Sequence, residues 1–434
     1  MLKVLSGVWA LLLGIVLIML GNGMHFTLIG LRGGLEGFSA AELAVVTSGY
    51  FLGFLSGARL TPSLIRRVGH VRVFAALGSF MSAGLIAFTL LAEPWAWTLL
   101  RILIGFCMSG IYVAAESWLN DTTTNETRGK VLSAYMIAQT LGIIGAQGLL
   151  TLGDAATSAL FVGASILVSI SFAPILLSVT PVPAVQVARP MSLRALFGHS
   201  PLGAVGIFLL GGVYATQAGM GAVFGDAIGL SANQIALFVA MLFAGALVLQ
   251  YPIGWLSDRL DRRKVIFGAA VLGAGACALG WLAAGATWLG GDALSPLLAA
   301  AFFAGGMTTP LYALLLAYTN DSMSTEDMPA ASGGLVFTFG VGAILGPLVT
   351  GWAMESLGPY AFWLVIGATF ALMALYAAYR MTQRPAPTAE EAEAYLGVLP
   401  TASVVAVTAA GAWAAENAEA ERDAAAAEAE ADLA

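Results

Sequence analysis

What most constrains this chain is a succession of twelve apolar runs, each long enough to cross a bilayer as a helix. A hydrocarbon core about 30 Å thick needs roughly 20 such residues per crossing, and the backbone inside it has to satisfy its own hydrogen bonds. Bounded by charges, prolines or glycines, the runs of the first half are Val4–Leu31, Glu42–Leu60, Val73–Leu91, Trp95–Leu119, Val131–Leu152 and Ala159–Thr180. Those of the second are Ser200–Ala222, Ile235–Leu256, Val265–Ala284, Leu297–Tyr318, Ala331–Met354 and Tyr360–Tyr379. They are continuous rather than alternating over about ten residues, which argues against a transmembrane β-barrel. Only 10% of the 434 residues are charged and 59% are hydrophobic, whereas soluble domains carry about a quarter charged. The sequence therefore predicts an all-α integral membrane protein.

Charge sets the orientation. Lys3, Arg59, Arg66, Arg67, Arg72, Arg128, Lys130, Arg189, Arg194, Arg259, Arg262, Arg263, Lys264, Arg380 and Arg384 all fall on one side of a twelve-span chain, while Arg32 falls in an opposite loop and Arg101 within a span. By the positive-inside rule both termini are cytoplasmic, in a multi-pass protein of the cell inner (plasma) membrane. The first run lacks a small-residue cleavage site and reads as a true span, not a signal peptide. The net charge of −7 is misleading, because ten of the 25 acids and one of the 18 bases lie between Pro385 and Ala434. Nothing about partners follows from the whole-chain charge, and no nucleic-acid partner is expected. Cys107 and Cys277 lie in apolar stretches 170 residues apart and read as buried small hydrophobes.

The Pro- and Arg-containing connection divides the chain. Residues 1–180 form an N-terminal half of six helices, 181–199 a cytoplasmic linker, 200–384 a second half of six helices, and 385–434 an acidic Ala/Glu-rich cytoplasmic tail. The halves repeat weakly: Trp118-Leu119-Asn120-Asp121 recurs as Tyr318-Thr319-Asn320-Asp321, and a basic turn follows both the second and the eighth run. Two six-helix halves related by an axis along the membrane normal place a solute site between them near midplane. Within the tail, Thr401–Ala415 is apolar but too short to cross, and removal of residues 390–434 is expected to leave activity intact.

These features resemble the major facilitator superfamily over the first 380 or so residues. Gly254-Trp255-Leu256-Ser257-Asp258-Arg259-Leu260-Asp261-Arg262-Arg263-Lys264 is similar to its loop motif Gly-x-x-x-Asp-Arg-x-Gly-Arg-Lys, with Asp261 in place of the second glycine. The first-half copy around Arg66-Arg67-Val68-Gly69 lacks the motif's aspartate and first glycine. Arg101-Ile102-Leu103-Ile104-Gly105 and Gly342-Ala343-Ile344-Leu345-Gly346-Pro347 resemble two further family motifs, and Glu116-Ser117-Trp118 through Ala134-Tyr135-Met136 resembles the YcaD-like branch. The resemblance implies a monomeric secondary transporter that works by alternating access, with proton antiport and efflux the preferred mode. An uncoupled facilitator and a non-transporting membrane receptor are the alternatives. It also implies a cytoplasmic gate formed by Gly254, Asp258, Arg259, Arg262 and Arg263 with Arg66 and Arg67.

Ionisable groups within a bilayer cost about 2.5 kcal/mol or more and persist mainly where they line cavities or move charge. Glu116 lies four residues before Asn120, about 6 Å inside the end of its span. It reads either as a proton-coupling carboxylate or as an interfacial partner of Arg128 or Lys130. Arg101, some 22 Å away along the same helix, either meets an anion or a proton or snorkels to headgroups. His25 shares a face with Asn22 and is a third proton-coupling candidate, or a hydrogen-bonded packing residue. Tyr135, Gln139, Gln147, Tyr214, Gln217, Gln250, Thr308, Thr309 and Tyr312 supply uncharged hydrogen-bonding groups suited to a polar neutral or zwitterionic solute, or to helix pairing. There is no P-loop, nucleophile elbow or zinc-ligand spacing, so no enzyme, metal or cofactor is expected.

Overall fold

The computed structural model describes residues 2–176, 191–287, 294–321, 323, 327–383, 395 and 397–417. The end of the sixth expected run (177–180), the linker residues 181–190, Arg384 and the tail residues 385–394, 396 and 418–434 lie outside the described residues. Those described form helices and turns, with no strand among them. The first half consists of α1 (Leu2–Leu35), α2 (Ala40–Val68), α3 (His70–Ala87), α4 (Pro94–Asp121), α5 (Asn125–Leu150) and α6 (Ala159–Leu176). A short α7 (Leu193–His199) follows, then α8 (Pro201–Ala227), α9 (Ala232–Ser257), α10 (Arg262–Thr287), α11 (Leu294–Asn320), α12 (Met328–Leu357) and α13 (Ala361–Gln383). A last helix, α14, covers 404–417. Each of the twelve expected runs corresponds to one long helix, with ends shifted by a few residues.

The two halves pack by the same rule. In the first, α1 lies on α5 and α6, α2 on α4, and α3 on α4 and α6; in the second, α8 lies on α12 and α13, α9 on α11, and α10 on α11 and α13. Close approach at the equivalent crossings depends on glycine. A Cβ on Gly53 or Gly105 would run into the backbone of the facing helix at Ile102 and Tyr50, and one on Gly245 or Gly305 would do the same at Phe302 and Leu242. Contacts between backbones without intervening side chains are how membrane helices gain packing energy where no hydrophobic driving force exists. The entries to α2 and α9 repeat as well. Gly37 and Gly229 adopt positive φ of 80° and 78°, and Ser39 and Ser231 then cap their helices in reciprocal boxes with Glu42 and Gln234.

The halves meet tightly at the end opposite the basic loops. There α1 and α8 cross with equivalent residues in contact, Gly30 against Ala222 and Gly34 against Asp226. Gly351 of α12 lies on Ala40 and Ala44 of α2, Thr47 packs on Gly219, and the Ser48 hydroxyl donates to the Ile344 carbonyl at 2.8 Å. At the basic end residues 395 and 397–417 lie between the halves and touch both. The segment 401–415, expected from the sequence only to be too short to cross, packs against both halves. Tyr395 covers Gly254, Gly397 lies between Gln250 and Met136, Gly411 meets Asn320, and the Trp413 indole rests on Gly129. A short apolar helix in an otherwise acidic stretch has to bury its apolar face somewhere, and the cleft between the halves accommodates it.

Candidate functional site

A space of about 460 Å³, open solvent at its mouth included, lies between the halves, lined from α1, α2, α4 and α5 on one side, from α8 and α9 on the other, and bounded by Thr401. Its walls are aromatic and amide: Phe26, Tyr50, Phe51, Tyr112, Tyr214 and Phe243 surround Asn22 and Gln147. Asn22 Nδ2 is 3.5 Å from the Tyr50 hydroxyl, and its Oδ1 has no hydrogen-bond partner. Beside the cavity, a smaller space of about 230 Å³ shares Tyr214, Ala218 and Phe243 and extends to Gln217, Thr308 and Thr309. There Thr308 donates to Gln217 Oε1 at 3.0 Å and leaves Gln217 Nε2 unpartnered. The buried Tyr312 hydroxyl is likewise unpartnered. Unpaired buried polar atoms are costly, so this cavity is equipped to accept hydrogen bonds from, and donate them to, a molecule that enters it.

Arg101 is buried behind the cavity wall, at 1% exposure. Its guanidinium does not snorkel outward: it stands 4.0 Å from the Phe26 ring centroid and 4.7 Å from that of Tyr50, and NH1 lies 3.2 Å from His25 Nδ1. Guanidinium nitrogens only donate, so His25 Nδ1 accepts and a neutral ring carries its proton on Nε2, which has no partner. His25 itself packs edge-on against Phe88, with centroids 4.6 Å apart. Two of the sequence candidates thus form one unit, a cation held by a neutral imidazole and two aromatic faces, with no carboxylate paired to it among the described residues. A cation is tolerated in such a place because ring faces are electron-rich.

Glu116 lies one turn beyond Tyr112 toward the basic end and is 1% exposed. Tyr135 donates to its Oε1 at 3.0 Å, and the backbone N–H of Ser403 donates to its Oε2 at 2.8 Å. The alternative reading from the sequence, an ion pair with Arg128 or Lys130, is not found. Arg128 instead lies 4.0 Å from Glu416 of the terminal segment. Glu116 is therefore a carboxylate inside the bundle whose neighbours are neutral.

The remaining candidates divide. Gln147 is engaged in helix pairing, accepting from Thr27 at 2.9 Å and reaching the Gly23 carbonyl at 3.4 Å, while also facing the cavity. Gln139 lines a space of about 300 Å³ against Gly397, Val398 and Ala402. Gln250 donates to the Tyr395 hydroxyl at 2.8 Å, and burial together with nearby Asp258 pushes that phenol well above its usual range, so it stays a neutral hydroxyl. In the basic loop, Asp258 Oδ1 accepts from the Tyr395 N–H at 3.0 Å, and Arg259 stacks on Trp255 with 4.2 Å to the ring centroid. Arg262 donates to both oxygens of Asp321, at 2.6 and 2.5 Å, and to Ser257 Oγ at 3.2 Å. Arg263 holds Asp261 at 2.9 Å; burial alone would raise that carboxyl, but the Arg263 hydrogen bonds keep it below the usual range. Arg66 and Arg67 are exposed at the end of α2 and take no part in this cluster. The sequence reading missed Phe26, Tyr50, Tyr112, Phe243, Thr401 and Ser403, the first four because aromatic residues in apolar runs are indistinguishable from lipid-facing or packing residues.

Comparison with known proteins agrees with this architecture. An uncharacterized MFS-type transporter of Enterobacter sp. (strain 638) is 27% identical over 387 residues, covering 87% of this chain and 97% of that one. The uncharacterized MFS-type transporter YcaD of Escherichia fergusonii is 26% identical over 366 residues, covering 83% and 92%. Among solved structures, the nucleoside transporter NupG superposes with a TM-score of 0.69 at 15% identity over 87% of this chain and 99% of that one. A bacterial homologue of the human lysosomal transporter Spinster, captured inward-facing and unoccupied, gives 0.61 at 14% identity over 92% and 96%. The family model described as Major Facilitator Superfamily matches residues 11–224 and 203–415, and the chain belongs to that superfamily of multi-pass membrane transporters.

Proposed function

We propose that this transporter moves a polar organic solute, uncharged or zwitterionic, by rocking its two halves about the central cavity, and that it exports the solute in exchange for protons taken up at Glu116. One observation carries the coupling: Glu116 is a carboxylate buried inside the bundle, hydrogen-bonded by the Tyr135 phenol and the Ser403 backbone amide, with no base paired with it among the described residues. Such a group gains or loses a proton without breaking an ion pair, which suits a carrier that must cycle between charge states. The solute class follows from the cavity lining, where amides and phenols replace the water stripped from a polar molecule and aromatic faces cover its apolar side. Both halves of the cavity come from one chain, so a monomer suffices. The clustering of bases supports a plasma-membrane orientation with the basic end and both termini in the cytoplasm.

A growth screen of a deletion strain and an overexpressor across solutes and toxins names the substrate. Flux of that solute in proteoliposomes, with and without an imposed pH gradient, then tests the coupling. Flux that merely equilibrates the solute and ignores the gradient in the unaltered protein identifies an uncoupled facilitator and overturns the proton reading.

A further inference from the structure

We infer that residues 395–417 are a resident plug of the cleft, seated on Glu116, which has to leave before the halves can close the basic end and open the other; the last clause rests on the rocking mechanism proposed above. Three observations carry it. The segment touches both halves at once, Glu116 and Gly129 on one side and Gln250, Asp258 and Asn320 on the other. Its leading turn reaches the cavity itself, where Thr401 forms part of the wall. Its buried face is an alanine stripe, Ala402, Ala406, Ala410 and Ala414, each 5% exposed.

The physical consequence is steric. Closing the basic end brings together the same surfaces of α5 and α9 that the segment now separates, and a backbone cannot be compressed out of the way. With the plug seated, the molecule is held in the one state in which its opposite end is shut.

The seat is built to be left. Alanine fits a narrow cleft, but each side chain buries little apolar area, so the stripe holds the segment close without holding it strongly. Register comes from a few polar contacts instead: the Ser403 N–H on Glu116 at 2.8 Å, the Tyr395 N–H on Asp258 at 3.0 Å and Gln250 on the Tyr395 hydroxyl at 2.8 Å. At the end of the segment Glu416 lies 4.0 Å from Arg128 of α5, at an end of the bundle rich in arginine. That pairing is long-ranged and draws the segment back to its mouth after each release. Glu116 thereby has two claimants, the proton of the proposed cycle and the Ser403 amide.

The test uses two cysteine reporters in a background with Cys107→Ala and Cys277→Ala, probed in sealed vesicles with a membrane-impermeant maleimide applied to either side. Leu132→Cys lies under the segment, and Thr47→Cys lies at the closed end against Gly219. Truncation after Gln383, or Ser403→Pro in the full chain to remove the N–H on Glu116, is expected to raise labelling of both reporters by about tenfold or more, each from its own side. A Gly411→Cys/Asn320→Cys disulfide is expected to protect both, with reductant restoring the labelling. Equal labelling of Leu132→Cys with and without the segment would show that it does not reside in the cleft. Labelling of Thr47→Cys that ignores both release and locking would show that the segment does not limit the rocking, even if it resides there. Ser403→Pro and the disulfide decide the matter if the truncated chain fails to insert.

Discussion

Replacing Glu116 by glutamine separates proton coupling from structure. The carboxylate receives two donors, Tyr135 at 3.0 Å and the Ser403 N–H at 2.8 Å. A glutamine keeps its carbonyl oxygen for the amide and offers its NH₂ to the Tyr135 oxygen, so both contacts survive as neutral hydrogen bonds. Net contributions are roughly 1.5–3 kcal/mol for bonds to charged groups and 0.5–1.5 for neutral ones. The two contacts together therefore weaken by about 2 kcal/mol, too little to prevent insertion of a bundle this size. The effect on coupling is not graded. For one-for-one exchange, one pH unit corresponds to about 1.4 kcal/mol and a roughly tenfold solute ratio. With Glu116→Gln the expected ratio is about 1, because the variant has no proton to carry. The assay is flux of the identified solute in proteoliposomes with and without an imposed gradient, normalised to inserted protein, and counterflow at equal pH should persist. If the variant still accumulates solute tenfold, the proton travels elsewhere and Glu116 serves the terminal segment alone.

Further expectations follow from the same geometry. Gly105→Val and Gly305→Val should each cost about 1–3 kcal/mol or more by driving a side chain into the opposing backbone, read as a lower melting temperature in detergent, whereas Gly268→Ala, with open space at its Cβ, should change nothing. Asp321→Asn removes a carboxylate charge from the buried Arg262 guanidinium, and a lower melting temperature, by up to about 3–5 kcal/mol of stability, is expected in the same assay. The Asp261 carboxyl is held below its usual range, so its contribution is present above the unfolded pKa of about 3.9 and disappears as pH falls through the lower folded value; the melting difference between Asp261→Asn and the unaltered protein should shrink across that acidic window. A tag inserted between Ile228 and Leu230 should be reached only from outside the cell and one in α7 only from inside, and the reverse result would invert the proposed orientation.

Much of the fold was legible because the bilayer imposes it. Span length, continuity of the apolar runs and the placement of bases depend on local composition, and the helices follow them. The repeat was legible only in part. Asn120/Asn320 stands out at an offset of 200, but the stronger correspondence, Gly37-Phe38-Ser39 with Gly229-Leu230-Ser231, runs at 192 and is visible only when the left-handed glycines and serine caps of α2 and α9 are superposed. Within the site, the sequence placed Glu116 and Arg101 within one span and both are buried, but their partners could not be read. His25 is 76 residues from Arg101, and Ser403 is 287 from Glu116. No periodicity within one helix encodes which other helix it meets.

The terminal segment shows why such partners matter for function. By composition, 401–415 is too short to cross a membrane and too apolar to stay in water, which leaves burial against protein as its stable state. The inner walls of the cleft offer it such a surface. In the proposed rocking cycle those walls are exposed only while the basic end is open, so the segment would bind one conformation of the bundle and not the other. A group that binds one of two states shifts the balance toward it by its own binding free energy, whether it is a free ligand or part of the chain. Because α14 rests mainly on alanine, that shift is modest, and a solute filling the cavity beside Thr401 or a proton on Glu116 acts on the same contacts. In the proposed cycle the solute, the proton and the terminal segment meet within one turn of α4, between Tyr112 and Glu116, where each is felt by the other two.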